Sequence, residues 1–273
     1  MIMNSAWIDV HAHLYSLCNN TPHNDSHSDL EDTIADSVSC GVDLIINTAV
    51  SIETARIVLE QCRAFPNHLR AAVGISPFYI NNHKDEIWIE QLKEMVGNPL
   101  TAAVGEIGLD CTNPTYPPLI EQTPFFEKQL ALAIQTKTTA IVHSRGMEKQ
   151  TAQICRSMGA ANVIFHCFTG DREAAEYIIE SGYYISVSGI ITYKNSHLRD
   201  LIPTLPINRL LIETDSPYLA PAPHRGKKNN PAMLVHTAKE TAGILKIEES
   251  HLSKILSQNF VNAINKPIPF GHY

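Results

Sequence analysis

Five short apolar runs in this chain each lead straight into a residue that can hold a metal ion. Residues 7–10 run into His11-Ala12-His13, residues 101–104 into Gly105-Glu106, and residues 141–142 into His143. Residues 163–165 run into His166, and residues 210–212 into Glu213-Thr214-Asp215. Runs that are largely apolar on both faces read as buried parallel strands. In barrels of alternating strands and helices, the C-terminal ends of such strands carry the functional groups. The pattern therefore constrains fold, site and chemistry together.

Eight β-type runs occur along the sequence, at 8–10, 43–48, 70–73, 102–104, 140–142, 162–165, 184–187 and 210–212. Helical periodicity lies between them. Ser51 can cap a helix that puts Ile52, Ala55, Val58, Leu59 and Cys62 on one face, and residues 86–96, 123–135 and 171–179 are spaced similarly. Gly170-Asp171 and Ser181-Gly182 bracket the last of these as start and stop signals. Strands alternating with helices predict a (β/α)8 TIM barrel with its site at the C-terminal face of the strands; an open doubly wound sheet is the alternative. Two further helical patterns, 231–245 and 248–265, follow the eighth run. No composition shift, internal repeat or low-complexity tract divides the chain, so residues 1–273 are expected to form one domain.

Two long connections follow the first and fourth runs. Residues 14–28 are rich in Asn, Ser and His, and residues 110–123 carry Pro114, Pro117 and Pro118. Both fall on the face where barrel loops build sites, and each reads either as a lid or substrate wall or as a tolerated surface insertion.

The net charge of −7 argues against a surface coated in positive charge for bulk nucleic-acid binding. It leaves room for a local basic groove. Six cysteines without a C-x-x-C pair predict reduced thiols in a cytoplasmic protein. No basic segment followed by an apolar core opens the chain, and no apolar stretch approaches the length of a membrane span.

The candidate ligands gain force by coincidence. His11 and His13 are two apart at a strand end, so both side chains face one way and can share a divalent ion. Glu106 lies at the end of a buried run, where a carboxylate is expensive unless it is paired or metal-bound, and its two oxygens can bridge two ions. His143, His166 and Asp215 each have an ordinary structural explanation taken alone, as rim histidines and a turn aspartate. Four histidines and two carboxylates at strand exits are better explained jointly, as a two-metal site. Mixed nitrogen and carboxylate ligands suit Zn2+, Mn2+ or Fe2+, with Mg2+ possible at an oxygen-rich position.

Six segments carry a family resemblance: IDVHAHL (8–14), GEIGLD (105–110), IVHSR (141–145), FHCFTG (165–170), VSGIITYKN (187–195) and LIETDSPYLAP (211–221). In order and spacing they resemble the successive motifs of the TatD family, within the metal-dependent amidohydrolase-type barrel superfamily. The resemblance implies a (β/α)8 barrel with up to two divalent metals and deoxyribonuclease activity, often 3′→5′ exonuclease. Carried over residue by residue, it places one metal on His11, His13, Glu106 and Asp215, and the second on Glu106, His143 and His166. Two ions roughly 3.5–4 Å apart can polarise a phosphoryl oxygen and bring the pKa of water towards about 7. Asp215 would orient that water and take its proton, with Glu106 as the bridge.

Substrate contacts are less sharply marked. Arg145 reads either as a phosphate grip or as a rim salt bridge. The run His224-Arg225-Gly226-Lys227-Lys228 reads either as a nucleic-acid backbone contact or as a solvated loop. Phe78, Tyr79 and Trp88 are expected to pack in the core or an interface rather than stack on bases.

Three positions depart from the family pattern. G-x-H-P reads Gly74-Ile75-Ser76-Pro77, the acid after H-S-R is Gly146, and N-E-P reads Asn229-Asn230-Pro231. These departures leave open another phosphoester, a C–N or ester substrate of the superfamily, or a subunit active only with protein partners in a multi-gene system. Glu106, where many C–N hydrolases of the superfamily have a carboxylated lysine, favours phosphate.

Overall fold

Each of the eight apolar runs forms a strand in the computed structural model, which describes residues 6–17, 26–83, 85 and 87–266, with the backbone alone for residues 26–28. The strands are β1 (Trp7–Ala12), β2 (Val42–Thr48), β3 (Leu69–Val73), β4 (Thr101–Asp110), β5 (Thr139–Arg145), β6 (Val163–Phe165), β7 (Tyr184–Val187) and β8 (Leu210–Ile212). They pair in parallel in simple chain order. The Asp215 amide donates to the His11 carbonyl at 2.9 Å and the His13 amide to the Ser216 carbonyl at 2.7 Å, so the segment after β8 closes back onto β1. Sequential order with closure makes this a (β/α)8 TIM barrel and removes the open-sheet alternative.

The helices are α1 (Ser26–Ser39), α2 (Ile52–Ala64), α3 (Ile87–Val96), α4 (Leu119–Gln135), α5 (Glu148–Ser157), α6 (Arg172–Glu180), α7 (Leu198–Leu201), α8 (Leu234–Leu245) and α9 (Glu249–Ala263). α2 shows how the sequence sets them. The Ser51 hydroxyl accepts from the Thr54 amide at 3.2 Å while the Thr54 hydroxyl accepts from the Ser51 amide at 2.9 Å. These reciprocal bonds satisfy two donors that a helix start leaves unpaired. The buried face of α2 is Ile52, Ala55, Val58, Leu59 and Cys62, which packs against the strands. Asp171 caps α6 by accepting from the Ala174 amide at 2.9 Å. None of the helices among the described residues is long and apolar enough to cross a membrane.

Inside the barrel, Ile8, Val10, Leu44, Ile46, Ala72, Ala103, Ile141, Ile164, Tyr184 and Leu211 form one buried cluster drawn from all eight strands. Phe260 and Ala263 of α9 join it, which accounts for the helical pattern beyond the eighth strand. The polar residues of the strand exits cannot be shared with this apolar filling, and they gather at the other, C-terminal mouth.

Several expected boundaries need correction, among them the start of α4, at Leu119 inside the connection expected over 110–123. β4 runs ten residues, to Asp110, where the apolar run suggested an end near Val104. Gly108 allows this, because it sits at φ +147° and a Cβ there would lie 1.8 Å from the His143 carbonyl oxygen. Part of the connection expected over 14–28 is helical, since α1 begins at Ser26; its residues 18–25, Cys18 included, lie outside the described residues.

Candidate metal centre

β1 delivers His11 and His13 to the mouth, β4 delivers Glu106, β5 His143, and the segments after β6 and β8 deliver His166 and Asp215. All six come together. The Nε2 atoms of His11 and His13 face each other at 3.2 Å. From Asp215 Oδ1 they lie at 3.8 and 3.5 Å, and from Glu106 Oε2 at 3.6 and 3.5 Å. On the other side of the same carboxylate, Glu106 Oε1 is 3.2 Å from His143 Nδ1 and 3.8 Å from His166 Nε2. The two imidazole nitrogens are 3.4 Å apart.

Ligands held 2.0–2.2 Å from one tetrahedral ion lie roughly 3.3–3.6 Å from each other. The observed separations bracket that range. Groups whose donor atoms all fall within 4.8 Å of one another include His11–His13–Asp215 and His11–Glu106–His166, with His143 adjoining the second through Glu106 and His166. Neutral imidazole nitrogens and carboxylate oxygens that converge in this way are all acceptors, and a cation is what such a set fits.

The outward nitrogens show how the rings are held. His13 Nδ1 donates to the Thr48 carbonyl at 2.9 Å, and His143 Nε2 donates to Asp110 Oδ2 at 3.0 Å. His166 Nδ1 lies 3.4 Å from Glu213 Oε1. Glu213 is wholly buried and His166 is the partner its carboxylate faces. Asp9 accepts from the His11 amide at 3.3 Å, from the Thr214 amide at 2.9 Å and from the Thr214 hydroxyl at 2.5 Å, which ties β1 to the exit of β8. Asp9, Asp110 and Glu213 were not among the residues expected from sequence. Their signal was present, as acids inside or at the end of buried apolar runs, but partner identity depends on which strands become neighbours.

Electrostatics follow from burial and crowding. Burial pushes the Glu106 carboxyl up, but hydrogen bonding from His11, His143 and His166 outweighs it and holds the group well below the usual range. Asp215 is lowered in the same way by His13 and His11 against burial. His166 is driven up to about 10, because Glu106 and Glu213 outweigh the burial that would lower it. His13 and His143 are also raised, and His11 is lowered by burial and by the neighbouring His166. Burial raises Asp9 to about 8. Asp215 and Cys167, which directly follows His166, both have left-handed backbones, at φ +56° and +44°. Such conformations cost non-glycine residues energy and concentrate at functional sites.

The remaining expectations separate. Arg145 is anchored by its guanidinium to the Thr169 hydroxyl and, at 3.5 Å, to the Cys167 carbonyl, beside His166. Arg225, Lys227 and Lys228 are exposed. Arg225 lies 4.4 Å over the Tyr193 ring, and Lys228 Nζ donates to the Leu17 carbonyl at 3.0 Å. Asn229 fastens their loop to the strand exit by donating to the carbonyls of Thr214 and Tyr218 at 2.9 and 2.6 Å. Ser76 is buried, with its amide bonded to the Val50 carbonyl at 3.0 Å. Gly146 has φ +72° and a Cβ there would meet Cys111 Sγ at 2.8 Å, so this chain's turn is shaped around a glycine. Trp88 is buried and stacks on Phe125, as expected of core packing. Phe78 and Tyr79 differ: Phe78 sets its ring edge-on to His143 at 5.1 Å, and Tyr79 is exposed.

The model of the family described as TatD related DNase matches residues 8–265. The chain belongs to the TatD family of metal-dependent hydrolases. Among TatD relatives, the uncharacterized metal-dependent hydrolase YcfH of Escherichia coli K12 is 31% identical over 258 residues, covering 93% of each chain. A metal-dependent hydrolase of Buchnera aphidicola from Baizongia pistaciae is 33% identical over 266 residues, covering 96% of this chain and 97% of that one. The crystal structure of YJJV, a TatD homologue from Escherichia coli K12, superposes with a TM-score of 0.87 at 28% identity, over 97% of this chain and 100% of that one. A TatD family hydrolase of Entamoeba histolytica shares the fold with a TM-score of 0.84 at 21% identity, over 97% and 100% of the two chains.

Proposed function

We propose that this TatD-family hydrolase is a two-metal phosphodiesterase that cuts nucleic acid, DNA foremost, with the 3′→5′ exonuclease as the form its family resemblance suggests. One observation carries the reading: the two oxygens of Glu106 face two different nitrogen clusters, at 3.5–3.6 Å on one side and 3.2–3.8 Å on the other. His11, His13 and Asp215 would complete the first ion's ligands, and His143 and His166 the second's. Divalent Mg2+, Zn2+ or Mn2+ there would supply charge neutralisation at a phosphoryl group and a water nucleophile at neutral pH.

The chain's own groups do the rest. Glu106 keeps both clusters in register because it is buried at the centre of the mouth. Asp215 is the more open of the two acids, with its side chain 13% exposed against 4% for Glu106. Its lowered pKa keeps it ionised at neutral pH. It is therefore the group to orient the attacking water and accept its proton on a carboxylate oxygen. Arg145, fixed beside His166, places a permanent positive charge near the site. Thr48, Asp110 and Glu213 hold the rings of His13, His143 and His166 in orientation.

Metal content measured alongside a hydrolysis panel tests the proposal. Single-stranded DNA, double-stranded DNA, RNA, nucleotides and small amides are each offered to the metal-loaded protein. Cleavage of end-labelled DNA is expected, with loss of about 100-fold or more in Asp215→Asn and His143→Ala. Metal-dependent hydrolysis that survives both substitutions would refute the assignment. Turnover of amides without phosphodiesters would move the chain to the C–N hydrolases.

A further inference from the structure

Two glutamines, Gln122 and Gln129, are buried on one face of α4. Glutamine is mostly an exposed residue, and burying its carboxamide is unfavourable unless its polar atoms are paired. Both are paired with backbone near the mouth of the barrel. Gln129 Oε1 accepts from the Ile75 amide at 2.7 Å, and its Nε2 donates to the Ile75 carbonyl at 2.9 Å. Gln122 Oε1 accepts from the Asp110 amide at 2.8 Å, and its Nε2 donates to the carbonyls of Asp110 at 2.8 Å and Pro117 at 2.6 Å. One amide on the oxygen side and carbonyls on the nitrogen side fix which way round the carboxamide sits.

The need for the Gln122 contact comes from unequal strand lengths. β3 stops at Val73, opposite Val104, while β4 continues to Asp110. β5 pairs with this overhang on one side, as far as Arg145 opposite Asp110. On the other side β3 has already ended, and the buried amide and carbonyl of Asp110 must find other partners. The Gln122 side chain supplies both bonds in place of a strand. What Asp110 carries gives the contact its consequence. The Thr112 amide and hydroxyl hold Asp110 Oδ1 at 2.8 and 2.7 Å, and Oδ2 accepts from His143 Nε2 at 3.0 Å. Asp110 is thus fixed at its backbone by α4 and at one carboxylate oxygen by the following turn, and its other oxygen meets a candidate ligand. Gln129 makes the same kind of clasp on Ile75, an apolar residue with no side-chain atom to pass on to a ligand.

We propose that Gln122 is the positioning residue for the His143 ring: by clasping the Asp110 backbone it sets the Asp110 carboxylate, and through it the imidazole, so that a helix on the outside of the barrel fixes a ligand at the mouth. The same carboxamide ties Pro117, in the connection between β4 and α4, to the Asp110 backbone, so a displacement of that connection reaches the ring as well. The effect on metal rests on the reading of His143 as a ligand, and is independent of the substrate.

The test uses full-length protein with its histidine nitrogens labelled for NMR, chelated and then titrated with Zn2+ or Mn2+. In the chelated wild type, the His143 ring N–H held by Asp110 should exchange slowly enough to be observed. Gln122→Met should abolish that signal and weaken metal binding about 10-fold or more, the range expected when the support behind a ligating histidine is lost. Combined with Asp110→Asn it should cost no more than Asp110→Asn alone, because both changes act through one carboxylate. Gln129→Met removes a similar clasp and should lower the melting temperature to a similar degree, with ring signal and metal affinity unchanged. If Gln122→Met does not fold, Gln122→Glu, which keeps the oxygen facing the Asp110 amide and loses both donations, is read in the same way. A ring signal that survives in the folded Gln122 variant, losses that add in the double variant, or an equal loss of affinity in Gln129→Met would each overturn the inference. A lost ring signal with unchanged metal affinity would uphold the positioning and overturn the reading of His143 as a ligand.

Discussion

At the scale of single residues, the acids behind the histidines carry as much consequence as the ligands. Glu213 and Asp110 each face the outward nitrogen of a candidate ligand, at 3.4 and 3.0 Å. Partners of this kind fix ring orientation and tautomer, and their loss typically lowers metal affinity about 10- to 100-fold. Glu213→Gln and Asp110→Asn should weaken metal binding by that amount with the fold retained, measurable by titration of the chelated protein with Zn2+ or Mn2+. Protonation has a definite sign here. His166, raised to about 10, and the raised His13 and His143 stabilise the chelated protein fully below about pH 6.5, and that stability is lost as pH climbs through their folded values. Asp9, raised to about 8, adds to the same slope, while the lowered His11 opposes it. The lowered Glu106 and Asp215 contribute above their ordinary values near pH 4 and lose that contribution in stronger acid. Melting temperature after chelation should therefore be higher at pH 5.5 than at pH 9. Metal affinity should move the other way, because binding displaces protons from the histidines. Chelated protein that melts at one temperature across this range would contradict the network.

At the scale of elements, strand interiors were legible throughout and strand ends only in part. β7 and β8 match their apolar runs residue for residue. β4 overran its run because Glu106 and Asp110 look like loop residues in a one-dimensional pattern, yet both are buried in the strand. Their polarity is compensated by neighbours on other strands, which no local window contains. α5 was not recognised either; its N-cap Met147 makes no capping side-chain hydrogen bond, so the usual start signal is missing. Where caps exist they should be measurable. Ser51→Ala should cost about 0.5–2 kcal/mol in urea unfolding through loss of the reciprocal bonds with Thr54. Gly146→Asp, which restores the family's usual residue after H-S-R, should destabilise by about 1–3 kcal/mol, because the turn holds φ +72° and Cys111 Sγ stands 2.8 Å from the new Cβ. Unchanged stability in Gly146→Asp would show that the turn relaxes freely.

At the scale of the whole molecule, a net charge of −7 must coexist with the polyanionic substrate that the proposed function requires. On that proposal attraction would be local, at the metal ligands, Arg145 and the exposed basic loop. Asn229 ties that loop to the exit of β8, so its charges are held near the mouth through the backbone. Reversing Arg225, Lys227 and Lys228 to Glu should weaken single-stranded DNA binding at low salt and flatten the dependence of log affinity on log salt by up to about 2. An unchanged slope would remove the loop from the interface.

Periodicity and spacing alone determined the class of fold, because buried parallel strands repeat an apolar signature that any window along the chain can detect. They also determined which six side chains are candidates for the metal, because each stands at or just beyond an apolar run. Only the tertiary structure decided how those candidates divide around Glu106, which acids stand behind which rings, and that Phe78 stands against His143 while Tyr15 and Tyr218 flank His13. These facts are distances between residues far apart in the chain, such as the 3.0 Å from His143 to Asp110 or the backbone bonds from Asp215 and His13 that close the ring. Ring closure sets them, and closure is a property of all eight strands together.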